Sequence, residues 1–512
     1  MKFRFQILAS SVFVVALSIS STMLARPQSS VGEVQFENSG NAAAQAPFLR
    51  GLALLHNFEY DFAAEAFRDA QAADPAFAMA YWGEAMTHNH PLWMEQDRDA
   101  ALEILDRLGE DQESRFTKTK TQRERSYFGA IETLYGDGDK KRRDFAYADA
   151  MAALHEKYPD DVNATAFTAL SILGTAHDGR DYAIYMRSAA LLEEVFPENR
   201  THPGVLHYLI HSYDDPIHAP LGLRAARRYG NVAPNAAHAL HMTSHIFVAM
   251  GMWDEAVAAN EQAVQVVNRQ RATKGAAARQ CGHYNEWLVY GFLQRGEFDR
   301  ADSQIAACRN EAQVELDNNP TETALELYSS RVFSYSDIAL RRAIDVGGWA
   351  DDAFIALPEG KYLKARWMRS YGEMITGRGD LEKMRAALSQ LSVLADAISA
   401  GEDSLPDGEA TFEAHREVAL RQASGLEKLA HGDQKGGIDD LRLAAKMESA
   451  LPVEFGPPAI PKPSYELLGE ELEQLGMSNE ARQAYEKALT LTPNRRLVND
   501  GLKRLGRSEN PA

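Results

Sequence analysis

Apolar residues recur along this chain at intervals of three and four, and alternating Val/Ile/Thr runs of the kind that make half-buried strands are missing. Ala, Leu, Glu and Arg dominate at the helical spacing, so the pattern predicts an all-α chain. Two stretches interrupt it. GEDSLPDGEA (401–410) and LPVEFGPPAIPKP (451–463) carry the Gly and Pro of loops, and the second holds enough proline to be stiff.

Within the helical pattern a unit recurs. In SYELLGEELEQLGMSNEARQAYEKALTLTP, Tyr465, Leu468 and Gly469 are followed by Ala481, Tyr485, Ala488 and Pro493. Gly51, Ala63, Phe67, Ala70 and Pro75 fall at matching offsets near the other end, and Leu240, Ser244, Phe247, Ala256 and Ala263 form a third unit. Weaker units surround Ala85, Ala169, Ile210, Val289 and the segment from Lys361 to Ala400. Small residues let two antiparallel helices approach, aromatics fill the gap to the next pair, and proline stops the second helix. The pattern resembles the tetratricopeptide repeat (TPR). That resemblance implies a right-handed TPR solenoid of roughly ten antiparallel helical hairpins over residues 46 to 505. The expected layout is a signal peptide (1–25), a flexible lead-in (26–45), an N-terminal and central array (46–316), degenerate helical repeats (317–450), and the Pro-rich loop with a C-terminal repeat and capping helix (451–512). TPR arrays mostly serve as interaction scaffolds, so the resemblance implies a peptide or protein ligand in the groove. A fold of this kind leaves function to be argued from a site.

The histidines supply the candidate. His207/His211 and His241/His245 are two H-x-x-x-H pairs separated by 34 residues, the TPR period itself. The resemblance places them at positions 5 and 9 of successive repeats, with His238 and His283 at position 2, all on the groove side of the first helix. Residues i and i+4 lie about 5–6 Å apart on one helix face. Neighbouring helices lie about 8–10 Å apart, a gap two imidazoles bridge through a metal about 2.0–2.1 Å from each nitrogen. Imidazole without thiolate suits copper, zinc or iron rather than calcium or magnesium. Six imidazoles suit a paired-copper site, and one zinc with an open position suits hydrolysis; storage or delivery without catalysis is equally compatible. Tyr208, Asp214 and Glu286 are candidate acceptors for the second ring nitrogen. His202, His56, His88 and His90 are auxiliary candidates, the last two as an H-x-H. The alternative is a histidine-lined groove that hydrogen-bonds a peptide or partner, with imidazoles titrating near neutrality. Glu466 and Glu470 stand at positions 5 and 9 of the last repeat, either as a solvated acidic face or as a site for a cation or basic ligand.

Bulk properties narrow the setting. With 54 Lys+Arg against 73 Asp+Glu the net charge is −19, a field that repels phosphate backbones, so nucleic acid is not expected. The start, MKFRFQILASSVFVVALSISSTMLARPQ, has a basic n-region and a short apolar run, as in a secretory signal peptide. Export to a periplasm or the exterior is expected, with no later segment able to span a bilayer. Two cysteines, Cys281 and Cys308, can form one disulfide or remain buried thiols, and cannot make a metal–thiolate cluster. P-loop, G-x-G-x-x-G, H-E-x-x-H, G-x-S-x-G and C-x-x-C motifs are all missing.

Overall fold

The computed structural model describes residues 30–318, 330–399 and 409–508. The expected signal peptide lies outside these residues, as does most of the loop expected at 401–410. The fold is all-α: 23 helices fall among the described residues, with one two-residue antiparallel pairing, Asn89–His90 against Glu95–Gln96. Successive helices pack as antiparallel hairpins, as the repeat pattern requires. Ala42–His56 pairs with Tyr60–Ala73, and Ser464–Gln474 with Ser478–Leu491. Gly469 shows why the pattern asks for a small residue at the crossing. A Cβ there would stand 2.6 Å from the Tyr485 ring, inside contact distance.

One apolar core runs from Val31 to Tyr290, a second from Leu340 to Leu505, and a smaller one between them joins Val257, Leu293 and Tyr335. The array also touches itself. The Trp253 indole donates to the Asn494 carbonyl at 2.9 Å, and the Asn494 amide donates to the Gly251 carbonyl at 2.9 Å. The turn after helix Ser478–Leu491 is thereby seated against the turn between helices Ala237–Ala249 and Trp253–Thr273.

The lead-in departs from expectation. From residue 30 it is an extended strap packed into the core, and helix begins at Ala42. Phe36 is buried, with its ring 5.2–5.4 Å from those of Phe48 and Tyr127. The Ser30 carbonyl accepts from the Asn235 N–H. Burying an aromatic of this kind contributes roughly 1.5–3 kcal/mol, enough to hold a polar-looking segment down. Cys281 and Cys308 form a disulfide that ties the start of helix His283–Arg295 to helix Phe298–Asn318. Among the described residues no helix is long and apolar enough to cross a membrane.

Candidate metal centre

Three first-of-hairpin helices carry the histidines. Pro203–Tyr213 begins with proline at its first position and is capped by His202, whose Nδ1 accepts from the Val205 N–H at 3.3 Å. Ala237–Ala249 lacks a side-chain cap of its own. Glu59, from the turn of the first hairpin, supplies it by accepting from the His238 N–H at 3.1 Å. His283–Arg295 follows Gly282, whose φ of 109° is open only to glycine at little cost, and ends at Gly296.

The six histidines resolve into two groups of three. His207, His211 and His238 offer ligand nitrogens all within 4.8 Å of one another, and so do His241, His245 and His283. Each group combines positions 5 and 9 of one repeat with position 2 of the next. The rings of His211 and His245 lie 5.9 Å apart, and those of His238 and His241 6.1 Å, so the groups are neighbours. His207, His211, His241 and His245 are almost fully buried; His238 is half-buried, and His283 keeps an exposed edge.

The second ring nitrogens are assigned by their partners. His207 Nδ1 faces the His56 carbonyl oxygen at 2.7 Å, an atom that can only accept. His245 Nδ1 faces Asp214 Oδ2 at 2.5 Å. His241 Nδ1 faces Asn260 Oδ1 at 2.8 Å, the Asn260 amide nitrogen being committed to the Ala256 carbonyl. Each of these three rings thus donates from Nδ1 and turns Nε2 into the site. His241 Nε2 and His245 Nε2 stand 3.0 Å apart, and His207 Nε2 and His211 Nε2 3.1 Å apart. Two imidazole nitrogens sharing a tetrahedral ion would stand about 3.3 Å apart. The buried Nε2 of His238 has no hydrogen-bond partner among the described residues. Burial first, and then the neighbouring imidazoles, hold His207, His211, His238 and His241 well below the ordinary histidine range. Burial, and then the nearby His245, also lower the pKa of His283, although the residue is exposed at its outer edge.

The surroundings are aromatic. Phe58 packs its ring 4.3 Å from His207 and 5.5 Å from His238. Trp287 stacks 4.3 Å from His245, and Phe455, from the Pro-rich loop, lies 5.4 Å from the same ring. Gly456 (φ 101°) lets that loop approach, since a Cβ there would fall 2.3 Å from Trp287. The face that the register leaves as an open groove is covered here by the first hairpin's turn and by this loop.

The auxiliary candidates fare differently. Asp214 takes the expected role toward His245. Glu286 does not: it points to Ser334, Asp337 and Arg341, and burial with the Asp337 charge pushes it up to about 7. Tyr208 serves His56 instead of a ligand ring, its hydroxyl 3.0 Å from His56 Nδ1. The His56 and His202 rings share Asn163 Oδ1, at 3.1 and 3.2 Å, and neither belongs to a ligand group; His56 acts through its carbonyl. His90 stacks on Tyr60 at 4.1 Å and bonds the Thr87 carbonyl, and half-buried His88 also stands outside both groups. Asn260, Glu59, Phe58 and Trp287 were not singled out in the sequence. Only Asn260, a polar residue on the buried face of an alanine-rich helix, carried a signal.

The tetratricopeptide-repeat family model matches residues 463–495. A comparison with curated proteins found no match. Among solved structures, the Cut9–Hcn1 hetero-tetramer of the APC/C is 11% identical (TM-score 0.34), covering 92% of this chain and 78% of that one. Yeast Tom70 is 13% identical (TM-score 0.36; 91% and 95% covered), and the human IFIT1 dimer 13% identical (TM-score 0.35; 92% and 96% covered). At these scores the likenesses carry no weight beside the matched unit and the hairpins themselves. Residues 463–495 thus match a tetratricopeptide repeat, and the all-helical array of antiparallel hairpins around them has a TPR-like fold.

Proposed function

We propose that this repeat protein binds transition-metal ions on two groups of three histidines. The His241/His245 pair carries the reading. Both rings commit Nδ1–H to fixed acceptors, so their Nε2 lone pairs face each other at 3.0 Å. Only a cation between them makes that arrangement favourable. A proton can bridge two nitrogens; a third, from His283, lies within 4.8 Å of both, and three converging imidazoles with an open fourth position are a ligand set for a metal. The identity of the ion within the copper, zinc and iron range belongs to the same proposal.

The repeat architecture itself suggests a protein-interaction scaffold, and the metal centre sits inside it. A periplasmic or secreted location is also proposed. The signal-like N-terminus and the Cys281–Cys308 disulfide support it.

The test is metal analysis of the chain purified from its native compartment without a histidine tag. The expected result is stoichiometric transition metal, lost in a His207→Ala/His241→Ala double variant that keeps its helical content. Trace metal, the same in both proteins, would sink the reading.

A further inference from the structure

We propose that the two histidine groups work as one centre, a pair of copper(I) ions that together take up dioxygen. This rests on the metal reading above and adds the metal, its nuclearity and the substrate.

Adjacency is the first support. The grouping of positions 5 and 9 with position 2 of the next repeat occurs twice in succession, and the facing rings are 5.9 and 6.1 Å apart. Ions held by these groups would be neighbours across those ring pairs.

Charge is the second. All six ligands are neutral, and among the described residues the only carboxylate hydrogen-bonded to a ligand ring is that of Asp214. Two divalent ions would set four positive charges in a largely buried site whose nearby carboxylates are Asp214, on a ligand ring, and Glu59, on the His238 backbone N–H. Two copper(I) ions halve that positive charge, and uncompensated buried charge is costly.

The walls are the third. Phe58, Trp287 and Phe455 offer no general base and no anchor for an ionic substrate, but they suit a small apolar gas. A cavity that shares Phe58 with the site is lined by Leu55, Phe167 and Leu170 but also by Asn89 and Asp144, and the exposed His283 marks an opening to solvent.

The uptake step balances. Each copper(I) gives one electron; dioxygen gains two, its double bond becomes a single bond, and the resulting dianion bridges two copper(II) ions. No proton moves. The metal and oxygen together carry two positive charges before and after, so a buried site meets no new charge as the reaction proceeds.

The full chain is loaded anaerobically with copper(I), and bound copper is counted. Oxygen consumption and the electron paramagnetic resonance spectrum are then recorded on exposure to air. The expected result is two coppers per chain, one dioxygen consumed per two coppers, and a spectrum silent because the two copper(II) spins couple. His283→Ala, at the accessible edge and least able to disturb folding, should keep its helical content and lose dioxygen uptake. Two coppers that oxidise to isolated, spectroscopically visible copper(II) would overturn this inference and leave the metal reading standing. So would binding of zinc but not copper. A chain that takes up no metal at all would overturn both.

Discussion

Positions 5 and 9 of a repeat are filled in two contrasting ways in this molecule. In the central array they are His207/His211 and His241/His245. In the last repeat they are Glu466 and Glu470. The carboxylates come with their own cations. The Lys462 ammonium donates to Glu466 at 2.7 Å and to Glu470 at 2.6 Å, Arg495 bridges Glu466 and Asp345, and Arg378 reaches Glu470 and Glu471. Glu466 is neither a solvated face nor a site for an external cation, because it is buried within a network the chain completes itself. The histidines have no such counterpart. The Nδ1 atoms of His207, His241 and His245 are satisfied, while the Nε2 atoms crowd together or, in His238, stand without a partner among the described residues. The repeat dictates where a side chain points. Whether the chain supplies the partner separates a structural cluster from one that calls for a ligand.

The largest expected effect breaks the self-sufficient cluster. Lys462→Met leaves Glu466 and Glu470 short of a charge in a buried network, and removing one member of such a set costs about 3–5 kcal/mol. The thermal midpoint should fall by several degrees, with metal content unchanged. His241→Ala in the metal-free chain should cost less than half as much, because it also relieves two facing lone pairs, yet it should empty its group of metal. If both variants were equally destabilised and both kept their metal, the distinction between the clusters would be lost.

Much of this contrast was legible in the sequence. Tyr465, Gly469, Ala481 and Tyr485 give the hairpin, and the 34-residue offset puts the histidine pairs on matching helices. Periodicity fixes direction along a helix, so the six histidines of the two groups can be read from it. It does not fix what crosses from distant hairpins. Glu59 capping Ala237–Ala249, Phe58 on His207 and Phe455 on His245 depend on how the array coils and on where an irregular loop settles. His56 and His202 misled for a related reason. They lie near the ligands, but Asn163, from another hairpin, claims their ring nitrogens. The lead-in reads as flexible because Val31, Val34 and Phe36 are too sparse to register as a pattern, though each is buried.

A second, smaller effect sharpens the difference between the two histidine groups. Among the described residues one group has a carboxylate hydrogen-bonded to a ring: Asp214 backs His245, whereas a backbone carbonyl backs His207. Asp214→Asn keeps an acceptor and removes the charge. Loss of such a backing group typically lowers metal affinity about 10–100-fold. One of two bound ions should weaken in a competition titration, with folding stability little altered. Equal weakening of both ions would mean that the charge acts on the centre as a whole.

The smallest effect tests the same rule inside the C-terminal network. Burial raises the Glu466 pKa, but Arg495 and Lys462 outweigh it and hold the carboxyl below its ordinary range. Glu448, a half-buried neighbour, receives the Ser464 backbone N–H at 2.6 Å but none of those cations. Burial, with the Glu466 charge adding to it, pushes Glu448 up to about 7 against an ordinary 4.5. A raised carboxyl favours the folded state while it is protonated. Its contribution is therefore full below pH 4.5 and lost as pH rises through about 7. For a half-buried group screened by solvent, the loss is about 1–2 kcal/mol. Glu448→Gln keeps the acceptor for Ser464 and cannot ionise, so its urea midpoint should fall less between pH 5 and pH 8 than that of the unaltered chain. Parallel falls in the two proteins would show that Glu448 needs no cation. The contrast between clusters that contain their counter-charge and clusters that lack it would then fail at its most local test.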